Sequence, residues 1–130
     1  MSQEIAVDIP LDLEPNPEGD NCFEVVINEG TSRLTYFASK MENGYLVNAG
    51  DVVVAFSGCV ASRYLGSELD GELYPGWNQL ESDFCKINNS QWVASFPNQI
   101  ETYHHYVFSL NHQVFECIAE SFSISGANSE

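Results

Sequence analysis

Across 130 residues the chain sets 19 Asp and Glu against four Lys and Arg, a formal net charge of −15. Such a field opposes the counterion-releasing contacts that nucleic acids require and repels anionic headgroups, so the sequence argues against direct nucleic-acid and membrane binding and points to a basic protein partner. Hydrophobic residues make up 44% of the chain, with two Trp, six Tyr and eight Phe; this apolar area argues against general disorder and predicts one domain over 1–130, frayed at 1–3 and 126–130.

From Glu4 to Glu14 apolar and polar residues alternate strictly, with Ile5, Val7, Ile9, Leu11 and Leu13 on one side. This is the pattern of a half-buried strand, and Pro10, which has no N–H to give a ladder, places it at a sheet edge or breaks it. The outward carboxylates, Asp8 and Asp12 among them, discourage a second chain from adding there. Residues 15–21 read as a turn-rich loop. Phe23 to Asn28, Leu34 to Ser39 and Asp51 to Val60 then read as a meander, with Asn43-Gly44 as a type I′ turn that lets Tyr45 to Val47 pair back on Thr35 to Lys40.

Gly66 to Gly76 has loop composition and carries Glu68, Asp70 and Glu72, with Glu81 and Asp83 following. Asp83 to Asn88 reads as a strand. Asn88-Asn89-Ser90 offers caps for a short helix through Trp92 and Phe96 that Pro97 must stop. His104 to Leu110 and Gln113 to Ile124 form a hairpin about Asn111-His112, in a register that sets Phe108 opposite Phe115, Tyr106 opposite Cys117 and His104 opposite Ala119. The fold class expected is α+β: a mainly antiparallel sheet with one or two short helices and a C-terminal hairpin.

Few residues point to chemistry. Cys22, Cys59, Cys85 and Cys117 form no C-x-x-C pair and lack a His at zinc spacing, so no metal site is expected. The N-terminus has neither a basic segment nor an apolar run of export type, and no stretch has the ~20 apolar residues that span a bilayer. The expectation is a cytoplasmic protein with reduced, mostly buried thiols and no cofactor. Reactive thiols need a lowered pKa, for which the four cations give little help. Ser67 to Glu72 is loosely calcium-loop-like but lacks the later glutamate. Ser57-Gly58 supplies half the setting of a serine nucleophile, and no Gly-rich turn carries a phosphate-binding Lys. His105 and Glu116 fall on one face of the hairpin as diagonal neighbours, the sole acid–base pair in view, whereas His104 points to the opposite face.

In its C-terminal half, Glu72-Leu73-Tyr74 before a Gly-Trp turn, Phe84-Cys85-Lys86-Ile87-Asn88-Asn89-Ser90-Gln91-Trp92, His105-Tyr106-Val107-Phe108-Ser109 and Phe115-Glu116-Cys117-Ile118-Ala119-Glu120 together resemble an uncharacterised family of small bacterial proteins. The resemblance covers somewhat under half the chain and implies a bacterial source and one α+β domain, with no activity attached. In character the chain is also similar to immunity proteins, which occlude a cognate toxin. The expectation is therefore a non-enzymatic acidic module that binds a basic protein, most concretely an immunity-type inhibitor of a bacterial toxin such as a nuclease. Asp8, Asp12, Glu68, Asp70, Glu72, Glu81 and Asp83 supply the charge, and Trp77 the aromatic anchor. The alternatives are a nucleic-acid mimic that inhibits a DNA-binding protein and a small enzyme using the hairpin His and Glu residues.

Overall fold

The structure, a computed structural model, describes residues 3–11, 13–15, 23–28, 30–65, 73–96, 102–110 and 113–126. Its strands are β1 (Ile5–Asp8), β2 (Glu14–Pro15), β3 (Glu24–Asn28), β4 (Thr31–Glu42), β5 (Tyr45–Ser57), β6 (Ala61–Leu65), β7 (Phe84–Asn88), β8 (His104–Leu110), β9 (Gln113–Ala119) and β10 (Ser121–Gly126). All pair antiparallel. One sheet has the order β1-β7-β8-β9-β6; the other runs β10-β5-β4-β2, with β3 also paired to β4.

The α+β expectation is corrected to a nearly all-β fold. Among the described residues the helical elements are α1 (Gln91–Ala94) and one 3₁₀ turn, Trp77–Gln79. Ser90 caps α1 through the Val93 N–H at 3.2 Å, as its sequence predicts. One helical turn cannot form a layer, however, and the second layer is another sheet.

The two sheets pack face to face through alternate residues of their strands. Leu34, Tyr36 and Ala38 of β4 and Val52, Val54 and Phe56 of β5 meet Phe84, Tyr106, Phe108, Phe115 and Cys117. Tyr36 stacks on Phe108 at 5.2 Å, and Phe56 meets Tyr106 at 5.5 Å. The first sheet is covered on its other face too. There Ala6, Cys85, Ile87, Val107 and Val114 pack with Tyr74, Leu73, Trp77 and Leu80, so β8 and β9 are buried on both sides and lose the alternation that marks half-buried strands.

Strand boundaries differ from the sequence reading at several points, including β4, which runs from Thr31 to Glu42, and β5, which ends at Ser57 and not at Val60. The segment Glu4 to Glu14 is two strands in different sheets: β1 pairs β7 and β2 pairs β4, with the chain crossing after Asp8, just before Pro10. Tyr45 to Val47 and Asp51 to Val60, read as separate strands, belong to the continuous β5, with Ala49-Gly50 inside it; the register slips there by one residue against Ala38/Ser39, and Gly50 takes φ +85°. This is a β-bulge, which bends a strand without ending it. Finally, Gln113 to Ile124 divides at Glu120, where the chain leaves β9 for β10 in the other sheet, and Gly126 pairs with Val52 instead of fraying.

The reverse crossing, from β5 to β6, occurs at Gly58. Its φ is +65°, and a Cβ there would strike the Glu120 side chain, so the two corners are packed together and require glycine. Asn43 and Gly44, at φ +54° and +84°, form the expected hairpin turn. The hairpin register of β8 and β9 is the predicted one, with Phe108 opposite Phe115 and Tyr106 opposite Cys117.

Candidate functional site

The structure brings part of the acidic set together at the β1 end of the first sheet. Asp8 closes β1, and its Oδ1 accepts the Ser82 N–H at 2.9 Å. Asp83 sits just before β7, half-buried, and the Ser109 N–H donates to its carbonyl at 2.8 Å. Burial pushes the Asp83 carboxyl up to about 6, and the charges of Glu14 and Asp8 push in the same direction. Glu14, exposed on β2, is therefore a member of the cluster that the sequence reading missed; its alternation placed Glu14 on the same strand as Asp8 instead of across from it.

Glu81 is exposed beside this cluster in sequence. Trp77 is half-buried against the outer core, its ring 6.3 Å from that of Tyr74, so most of it serves packing. Asp12, Glu68, Asp70 and Glu72 lie outside the described residues. The salt bridges that fixed cations make among the described residues are Lys40–Glu42 at 3.5 Å and Arg63–Glu116 at 3.0 Å, and the His105 ring meets Glu116 at 2.7 Å. None reaches Asp8, Glu14 or Asp83.

A second constellation lies under α1, on the outer face of the first sheet. His105 of β8 and Glu116 of β9 are diagonal neighbours as predicted, with Nε2 2.7 Å from Oε1. Arg63 of β6 donates from Nε to Oε2 at 3.0 Å, the Tyr74 hydroxyl donates to Oε1, and Arg63 also reaches the Tyr74 oxygen at 3.2 Å. On the other side of the ring, Nδ1 meets Ser90 Oγ at 2.7 Å. Trp92 packs edge-on against His105 and carries the Arg63 guanidinium 4.0 Å above its ring.

The Glu116 side chain has no solvent exposure, yet its carboxyl is held down at about 2. Burial opposes ionisation there, but hydrogen bonds from His105, Arg63 and Tyr74 outweigh it. Burial beside this carboxylate raises the Tyr74 hydroxyl well above its ordinary value, and pairing with Glu116 also holds Arg63 firmly protonated. Nε2 of the His105 ring thus faces the ionised Glu116 and Nδ1 faces the Ser90 hydroxyl, so both ring nitrogens are paired. The Ser90 oxygen meanwhile accepts from Val93, so every polar atom is satisfied. Ser90 and His105 also form part of the wall of a cavity of about 300 Å³, with Lys86, Asn88, Phe96 and Tyr103.

Sequence reasoning found the His105–Glu116 pair through the hairpin register. It missed Ser90 as the partner of His105 because a helix cap already explained that residue. Arg63 and Tyr74 come from segments whose placement depends on β6 joining the β9 edge, which no local pattern reveals.

Among the described residues no helix is long and apolar enough to cross a membrane, and no group of His, Cys, Asp and Glu is arranged to hold a metal. Comparison with family models, curated proteins and solved structures finds no match.

Proposed function

We propose that the protein is an acidic binding module for a basic protein partner, of the immunity-inhibitor type that occludes a bacterial toxin such as a nuclease, acting in the cytoplasm. The observation that carries this reading is the convergence of Asp8, Glu14 and a half-buried Asp83 that no described cation pairs. A partner's Lys or Arg relieves that repulsion on docking, and the net charge of −15 speeds its approach. Free Cys59, Cys85 and Cys117 suit a reducing compartment.

The test is capture from the source cell's lysate by wild type and by a variant carrying Asp8→Asn, Glu14→Gln, Glu81→Gln and Asp83→Asn. It is run at ionic strengths of about 0.01 M and about 0.15 M, between which the screening length falls from ~30 to ~8 Å. A basic protein held by the wild type, weakened by salt and lost by the variant supports the reading. No specific partner, or one indifferent to both changes, overturns it.

A second reading, a small acyl-transfer enzyme, is favoured by the chain Ser90 Oγ to His105 Nδ1 and His105 Nε2 to Glu116, both 2.7 Å, at the cavity wall. In this reading His105 takes the Ser90 proton while Glu116 and Arg63 hold the ring in place. A fluorophosphonate that labels Ser90 in the wild type but not in a folded His105→Gln variant supports it; an unlabelled Ser90 removes it.

A further inference from the structure

The space between the two sheets is closed at one edge and open at the other. Where β10 lies over β7, the Phe122 ring seals it, 5.0 Å from Phe84 and 5.3 Å from Tyr106. The opposite edge is formed by β6 and β3, each paired with one described strand. Val25 and Ile27 stand opposite the buried Leu34 and Ser32 of β4, so they and Phe23 share the inward face of β3. Ser62 and Tyr64, opposite the buried Cys117 and Phe115 of β9, share the inward face of β6. Burial nonetheless collapses across these pairs. Ile27 is 59% exposed beside Ser32 at 1%, and Tyr64 is 55% exposed beside Phe115 at 2%. Side chains that face the core thus reach solvent, and they line a cleft of about 560 Å³.

We propose that this cleft binds an uncharged aromatic molecule carrying a hydroxyl or carbonyl group. Its volume is that of a small-molecule site. Three rings supply apolar surface: Phe115, rooted in the core 6.0 Å from Phe56; Phe23, edge-on to Phe108 at 5.6 Å; and Tyr64, edge-on to Phe23 at 6.2 Å. A guest ring can meet them edge-on or offset, the arrangements aromatic pairs prefer. The polar groups at the cleft are neutral. The hydroxyls of Ser62 and Tyr64 and the side-chain amide of Gln113 make no hydrogen bond among the described residues, whereas the hydroxyls of Tyr36 and Tyr74 are engaged. These three groups are available to a ligand's hydroxyl or carbonyl.

Charge argues against an ionic ligand. No Asp or Glu lines the cleft, and the alternation of β3 turns Glu24 to the outer side. Arg63, the one cation in the wall, alternates outward from β6 as well. Its guanidinium is held there by Glu116, the Tyr74 hydroxyl and the Trp92 ring. An anion therefore finds no free counter-charge and is repelled by a chain at −15. A cation would leave water for a wall without carboxylates. A neutral guest avoids both costs. The cleft lies at the far edge of the first sheet from Asp8 and on the opposite face from Glu116, so neither functional reading uses it.

The experiment titrates the full isotope-labelled chain with 2-naphthol, uncharged at neutral pH, or with 2-naphthoate, the same rings as an anion, and follows the protein by NMR. 2-Naphthol should bind with a Kd below about 1 mM, with shifts centred on Val25, Ile27, Ser62 and Tyr64. 2-Naphthoate should bind on the order of tenfold more weakly. Tyr64→Ala should weaken 2-naphthol on the order of tenfold, and Ile27→Asn should weaken it too. Both positions are exposed, and circular dichroism confirms that the variants are folded. Val26→Ala, on the other face of β3, should leave the affinity unchanged. No binding at that concentration, shifts centred elsewhere, equal affinity for the anion, or an affinity that both cleft variants retain overturns the proposal.

Discussion

Replacing Asp83 with Asn should stabilise the protein, and only where the carboxylate is charged. Folding moves this group from 3.8 to about 6 through burial and the charges of Glu14 and Asp8. That gap caps the cost of the ionised form at ~3 kcal/mol. The side chain keeps part of its hydration, so screening reduces the expected cost to ~1 kcal/mol. The sign follows from proton linkage: because the folded state binds this proton more tightly than the unfolded chain, stability from this group rises as pH falls from about 6 towards 3.8. Above about 6 the wild type carries the full cost. Asp83→Asn, which keeps the shape and loses the charge, should therefore gain ~1 kcal/mol at neutral pH and little at a pH near 4. Urea unfolding of both proteins across this range measures the difference. A destabilised variant, or a gain that does not change with pH, would refute the account of Asp83 as an unpaired, repelled carboxylate.

Glu116→Ala strands Arg63, the Tyr74 hydroxyl and His105 Nε2 without their shared acceptor and should cost ~3–5 kcal/mol in urea unfolding. In the wild type, the contribution of Glu116 is complete above 4.5 and lost as pH falls through about 2, opposite in sign to Asp83, so an acid titration of Asp83→Asn should show a single loss at the low end. Ser90→Ala removes both the helix cap and the partner of His105 Nδ1; a loss of ~1–2 kcal/mol is expected, with α1 amides exchanging faster by hydrogen-exchange mass spectrometry. Gly58→Ala must hold φ +65° and push Glu120 aside, so it should cost ~1–2 kcal/mol, and pairing it with Glu120→Ala should recover the steric part alone.

Where structure was set by nearest neighbours, the sequence was readable. The β8–β9 register, the Asn43-Gly44 turn and the Ser90 cap depend on a few adjacent residues, and each stands where its pattern places it. What escaped was non-local. The alternation from Glu4 to Glu14 runs unbroken in sequence while the chain changes sheets: Ile9, Leu11 and Leu13 pack on the core between the layers, whereas in β1 Ile5 and Val7 are exposed and Ala6, from the side expected to be polar, is buried in the outer core. The bulge at Ala49 and the corner at Glu120 likewise leave the apolar pattern intact. The α+β expectation fails for a related reason: the Ser90 cap marks where a helix starts, and the four residues of α1 are too few to form a layer. At the site, the His105–Glu116 pair followed from register, whereas Arg63, Tyr74 and Glu14 depended on which strand edges meet.

The half-buried Asp83 and the buried Glu116 differ in a way that places the binding proposal at Asp83. Glu116 is the more deeply buried, yet three donors hold it ionised and no polar atom around it lacks a partner. Its charge is already neutralised by Arg63, so it has little to offer an incoming ligand, and disturbing it mainly weakens the fold. Asp83 is less buried and worse served: burial raises its pKa, and its described electrostatic neighbours, Glu14 and Asp8, raise it further, where Arg63 lowers that of Glu116. Four cations for 19 carboxylates leave little to spare, and Arg63 and Lys40 are already committed to Glu116 and Glu42. On the proposed reading, a partner's Lys or Arg supplies the cation that Asp83 lacks among the described residues. A partner that docks at this edge should therefore bind more weakly as pH falls through about 6 and Asp83 takes up a proton, even though the free protein becomes more stable over the same interval.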